Sequence, residues 1–219
     1  MKNLKNALLL KQLYLLKQLG YNYTSVTAFK EDEADLTLPN TLEKLKKQAE
    51  ECHLCELSKS RTKVVFGEGN EHADIMFVGE APGMSEDSSG KPFVGKSGEM
   101  LTKMIENVLL IPRSDVYISN IVKCRPPNNA EPTTSEAHSC LPYLLKQIEL
   151  IQPKIIIALG ATAYHYLSGD DTAISKVRGR IQEKHGYRLM PTFHPSYLLR
   201  NPSAKKEVLE DLKIVKGIM

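Results

Sequence analysis

Four cysteines, a histidine locked by a proline and a few carboxylates beside glycine turns carry the chemistry open to this sequence. Cys52 and Cys55 form a C-x₂-C pair, and Cys124 and Cys140 follow far downstream. Four thiolates suit a tetrahedral metal site. Zinc more often shows two close pairs, and an iron–sulfur cluster fits at least as well, since ligation by four cysteines is usual there. The plainer alternative is four buried small side chains, which the charged neighbours Glu50, Glu51 and Glu56 argue against. Dithiol redox chemistry fits less well, because the pair does not follow the strand of a βαβ unit. His194 ends an apolar run and is fixed at once by Pro195, in the stretch TFHPSYLLRNP. A histidine held in one place can donate a hydrogen bond to a developing anion. GEAPG at 79–83 is a tight turn with Glu86 and Asp87 close behind, and Asn120 closes the β-branched run VYISN.

The elements that must position these residues alternate. ADIMFVG (73–79), VYISNIV (116–122), KIIIALG (154–160) and YRLMPTF (187–193) read as strands. Helical spacing predicts helices from Thr41, over 97–110, over 133–151 with a kink or early break at Pro142, over 160–169 and from Ser203 to the end. Apolar strands alternating with helices predict a three-layer α/β/α sandwich with a short, mainly parallel central sheet. In such sheets ligands bind beyond the carboxyl ends of the strands. GEAPG, Asn120 and His194 all fall on that edge, although each alone reads equally well as turn or strand-end structure.

Composition bounds the class. The chain has 219 residues, 42% hydrophobic and 25% charged, an ordinary globular balance. A net charge of +3 permits nucleic acid as a partner without arguing for it. No run reaches the length of a membrane span. Residues 4–19 place leucines at helical spacing; early lysines suggest a signal peptide, but Lys11, Gln12 and Lys17 interrupt the run and no small-residue cleavage site follows. The expectation is a cytoplasmic protein in which disulfides do not form. Residues 1–40 are expected to be a helical extension and linker, with 1–20 a candidate surface for a protein partner, and 41–219 the catalytic domain of a monomer.

GEAPG with Glu86-Asp87, KPFVGKSG at 91–98, NIVKCRPP at 120–127 and HPSYLLRNP at 194–202 resemble the type 4, iron–sulfur, uracil-DNA glycosylases, and the four cysteines match that family's ligands in number and order. The resemblance covers about residues 45–215. It implies a [4Fe–4S] cluster held by Cys52, Cys55, Cys124 and Cys140. It also implies hydrolysis of the bond joining uracil to deoxyribose in single- or double-stranded DNA, with the nucleotide flipped into a pocket. Gly79, Glu80 and Ala81 are then expected to contact uracil, Phe93 to stack on its face, Asn120 to pair with O4 and N3–H, and His194 to stabilise negative charge at O2. Type 1 enzymes carry an aspartate where this chain has Ala81 and a tyrosine where it has Gly83, so the carboxylate role falls to Glu80 or Glu86. The resemblance puts an intercalating side chain at Leu198, with Arg200 close enough to meet a phosphate. The alternative to a repair glycosylase is a non-catalytic iron–sulfur protein of the same fold that binds nucleic acid, a reading Ala81 keeps open.

Overall fold

The computed structural model describes residues 38–184 and 187–218. The helix expected over 4–19 and the partner surface expected over 1–20 lie outside the described residues. From Leu38 onward the elements are α1 (Leu42–Glu50), β1 (Glu68–Gly69), β2 (Ile75–Gly79), α2 (Met84–Ser89), α3 (Lys96–Met104), β3 (Tyr117–Asn120), α4 (Thr134–Ile151), β4 (Ile155–Leu159), α5 (Ala161–Ser168), α6 (Ile174–Val177), β5 (Gln182–Lys184), β6 (Tyr187–Thr192), α7 (Pro195–Arg200) and α8 (Lys205–Lys216).

The strands form one sheet in the order β1-β3-β2-β4-β6-β5. The four central strands run parallel, and β1 and β5 close the edges antiparallel. The runs IMFVG and IIIAL are buried at every position, which is what a sheet covered on both faces requires. Alternate residues separate into two cores. Met76, Val78, Ile156, Ala158 and Leu189 meet side chains of α1, α4 and α5 on one face. Ile75, Phe77, Ile157, Leu159 and Met190 meet those of α3, α7 and α8 on the other. This is the expected three-layer α/β/α sandwich. Among the described residues no helix is long and apolar enough to cross a membrane.

Local chemistry explains several boundaries. Thr133 caps α4: its side chain accepts from the Glu136 amide while the Glu136 carboxylate accepts from the Thr133 amide. The helix then runs through Pro142, which lies on its exposed side, so the expected break does not occur. The helix expected over 97–110 instead ends at Met104 and continues as a π turn over Ile105–Leu109, closed by Leu110 in the left-handed region at φ 61°. The largest departure is at 195–200. The short turn that Pro195 and Ser196 suggest after His194 reads as a loop, and the chain instead forms α7. Pro195 presets φ at the first helical position, and the His194 side chain caps the turn.

Candidate active site

β2, β3, β4 and β6 end on one side of the sheet, and the segments that follow them surround a cleft of about 570 Å³. Glu80, Ala81, Phe93, Asn120, Thr162 and His194 are among the residues lining it. Gly79, Glu80, Ala81, Phe93, Asn120 and His194, named from widely separated motifs, therefore meet at or beside one place.

Packing at the cleft floor is tight. Phe93 is buried and sits in the left-handed region at φ 52°, an unusual conformation for a bulky residue. Two glycines permit it. A Cβ on Gly98 would come within 1.8 Å of the Phe93 carbonyl oxygen. A Cβ on Gly79 would come within 2.6 Å of the Phe93 ring and 2.5 Å of Asn120 Oδ1. The Arg113 guanidinium secures the same turn through the Pro92 carbonyl at 2.9 Å.

Asn120 is fully buried, and its Oδ1 has no hydrogen-bond partner among the described residues. A buried carbonyl without a donor costs about 1–3 kcal/mol, and such groups are rare in folded proteins.

His194 has its protonation fixed by geometry. Its Nδ1 accepts from the Ser196 amide at 3.1 Å. An amide has only a hydrogen to give, so Nδ1 is unprotonated and the neutral ring carries its hydrogen on Nε2. Burial, with the Arg200 charge adding to it, lowers its pKa to about 4. The ring lies 5.7 Å from that of Phe93, tilted by 36°. The cleft is thus lined by a stacking surface, an acceptor and a neutral donor.

The two candidate carboxylates separate. Glu86 Oε2 accepts from the Gly83 amide at 3.1 Å, and Oε1 accepts from the amides of Val94 and Gly95 at 2.9 Å each. Glu86 is therefore a strut joining the GEAPG turn to the Phe93 turn. Glu80 gives one oxygen to the Thr162 hydroxyl at 2.6 Å. Burial raises its pKa most, the Thr162 bond opposes this, and the nearby Glu131 charge adds to it.

Leu198 is corrected as well. It is 1% exposed and belongs to the core beneath α7, because helical rather than loop geometry turns it toward the sheet. The apolar side chains that this segment presents to solvent are Tyr197 and Leu199, 38% and 43% exposed. Arg200 is exposed and lines the cleft.

The four cysteines line a second, smaller cavity. Cys52 follows α1, Cys55 precedes a short 3₁₀ turn, Cys124 follows β3 and Cys140 lies in α4. Arg61 donates to Cys124 Sγ at 3.5 Å, and the Lys123 amide donates to Cys140 Sγ at 3.3 Å. Among the described residues no three acids, histidines or cysteines converge tightly enough to hold a single ion. Four thiols around one cavity are nonetheless the donor set that a four-cysteine site uses. Burial pushes up the Cys55, Cys124 and Cys140 thiols, Cys140 to about 12, so thiolates here call for bound positive charge. Lys123 joins the two sites: its amine donates to the Asn120 carbonyl, to Ser119 and to Gln147 at 2.6–2.8 Å.

Thr162, Ser196 and Gly160 line the cleft and are not singled out by the sequence. The first and third were within reach, since KIIIALG ends in GAT on the same sheet edge that was used to group the other motifs.

The model of the uracil DNA glycosylase superfamily matches residues 66–213. The chain is 47% identical over 187 residues to a type-4 uracil-DNA glycosylase of Thermotoga maritima, covering 84% of this chain and 97% of that protein. It is 45% identical over 188 residues to one of Sulfurisphaera tokodaii, covering 82% and 85%, and 45% identical over 185 residues to one of Saccharolobus solfataricus, covering 81% and 86%. By that match over residues 66–213 and by these identities, this protein belongs to the uracil-DNA glycosylase superfamily.

Proposed function

We propose that this chain removes uracil from DNA by hydrolysing its N-glycosidic bond, and that the orphaned Oδ1 of Asn120 is the atom that reads the base. Uracil presents a donor at N3 and an acceptor at O4, which the Asn120 amide meets with Oδ1 and Nδ2. Cytosine presents the opposite pattern and would leave Oδ1 orphaned. Phe93 offers a face for stacking, and Gly79 leaves room for both residues.

As the bond between N1 and C1′ breaks, its electron pair leaves with the base and the charge gathers on O2. The neutral His194 ring donates from Nε2 to that oxygen. A water oxygen bonds to C1′, and its proton is released to the departing base or to solvent. Glu80 orients that water or balances the sugar cation. Tyr197, Leu199 and Arg200 form the edge that meets DNA around the flipped nucleotide. The reading has uracil-containing DNA as the partner of a monomer in the cytoplasm.

The decisive experiment incubates the protein with a uracil-containing oligonucleotide, treats it with alkali and looks for strand breaks at the uracil. Binding without breaks would favour the non-catalytic reading, in which Ala81 marks a lost activity. Asn120→Asp should slow excision about tenfold or more, the scale of one buried group left mispaired. A wild-type rate would place the reader of the base elsewhere.

The cavity of Cys52, Cys55, Cys124 and Cys140 fits a [4Fe–4S] cluster, which would tie α1, the β3 end and α4 together. Purified protein should be brown with broad visible absorption that bleaches on strong oxidation or reduction. A colourless protein with one zinc per chain would overturn the assignment. Cys→Ser variants should lose solubility and stability first.

A further inference from the structure

Thr162 opens α5 with its hydroxyl between two carboxylates. Oγ1 lies 2.6 Å from Oε2 of Glu80 and 3.0 Å from Oε1 of Glu131. The three residues come from separate segments: the turn after β2, the loop before α4 and the first turn of α5. A hydroxyl has one hydrogen. It can donate to one ionised carboxylate. The second contact is a hydrogen bond only when that carboxyl carries a proton and donates to Oγ1. With both ionised, one contact sets lone pair against lone pair. The arrangement therefore makes the protonation of Glu80 sensitive to what Thr162 and Glu131 present to it.

We propose that Glu131 is a positioning residue of the excision reaction, acting beside Thr162 on Glu80 and so setting the acid limit of activity. This rests on Glu80 serving as the carboxylate of the cleft. Glu80 must be ionised to orient water or to face a cation, so whatever raises its pKa moves the acid limb of the rate upward. Burial does most of this; the Thr162 bond opposes it and the Glu131 charge reinforces it. Removing the charge and removing the hydroxyl should thus act in opposite directions. The other charged or titratable groups lining the cleft are Glu86, His194, Tyr197 and Arg200. Glu86 is held by backbone amides, and His194 and Arg200 stand on the segment after β6. Neither substitution removes a contact that any of these makes.

The test follows single-turnover uracil release from a single-stranded oligonucleotide across the acid range. Glu131→Gln should move the acid limb to lower pH, and Thr162→Val should move it to higher pH. Thr162→Ser should restore the wild-type limb. A merely structural role would lower the plateau and leave the limbs aligned. Glu131 is exposed, so its substitution leaves a folded protein to measure. In parallel, the Glu80 side-chain carboxyl carbon, followed by NMR in labelled protein, should titrate at lower pH in Glu131→Gln. Limbs that stay together, or a Glu80 titration that does not move, would overturn the proposal while leaving the glycosylase reading intact. A wild-type protein that releases no uracil at any pH would defeat both.

Discussion

Replacing His194 by alanine should slow uracil release about a hundredfold or more, the scale for losing one preorganised donor to a developing anion. The ring offers Nε2–H because the Ser196 amide occupies Nδ1. It is also uncharged near neutrality, being lowered to about 4 by burial and by Arg200. The loss should therefore appear in the chemical step, measured by single-turnover kinetics, with affinity for uracil-containing DNA changed far less. An equal loss of binding would make His194 a structural cap of α7 instead. The same histidine carries a pH signature. Its folded pKa lies below the ordinary value of 6.5, so the unfolded chain binds the extra proton first. Its contribution to stability is complete above about 6.5 and is lost as pH falls toward about 4. His194→Ala should flatten that part of the curve of melting temperature against pH.

Leu198→Ala should cost about 2–5 kcal/mol of stability, the usual range for emptying a buried leucine site. Leu198 is buried among Leu101, Ile105 and other residues of the core beneath α7, so truncation leaves a cavity there. The variant should melt several degrees lower and lose excision on single- and double-stranded DNA alike. Leu199→Ala is the contrast. Its side chain is 43% exposed, so the melting temperature should hold while excision from duplex slows more than from single strands, where no stack has to be filled. A stable Leu198→Ala with a duplex-specific defect would reverse this assignment.

These two residues show what the sequence could and could not display. HPSYLLRNP announced a site, but the side of the chain on which Leu198 lies depends on whether 195–200 is loop or helix. That was decided by a proline at the first helical position and a histidine cap, a cap not ordinarily sought in histidine. The parallel strands were legible because IMFVG and IIIAL are apolar throughout, as double-sided burial demands. The antiparallel edge strands β1 and β5 were not, since two or three residues leave no periodicity. Asn120 and His194 were legible from residue type at strand ends. Thr162 and Glu131 were not, because the contacts of Thr162 with Glu80 and with Glu131 span 82 and 31 residues and exist only once α5 is docked.

The Glu86 strut bears on how the chain spends its interaction with DNA. One carboxylate fastens the backbones of Gly83, Val94 and Gly95, so the two turns that frame the base are ordered during folding, before any substrate arrives. The entropy of arranging the slot is then absent from the binding step. Attraction between the protein and the phosphate backbone can go instead toward unstacking the nucleotide, a step of a few kcal/mol. On the proposed reading the preformed slot also selects by rejection: a base that does not fit returns to the helix before the sugar bond is strained, so discrimination becomes a matter of how long a base stays out of the stack.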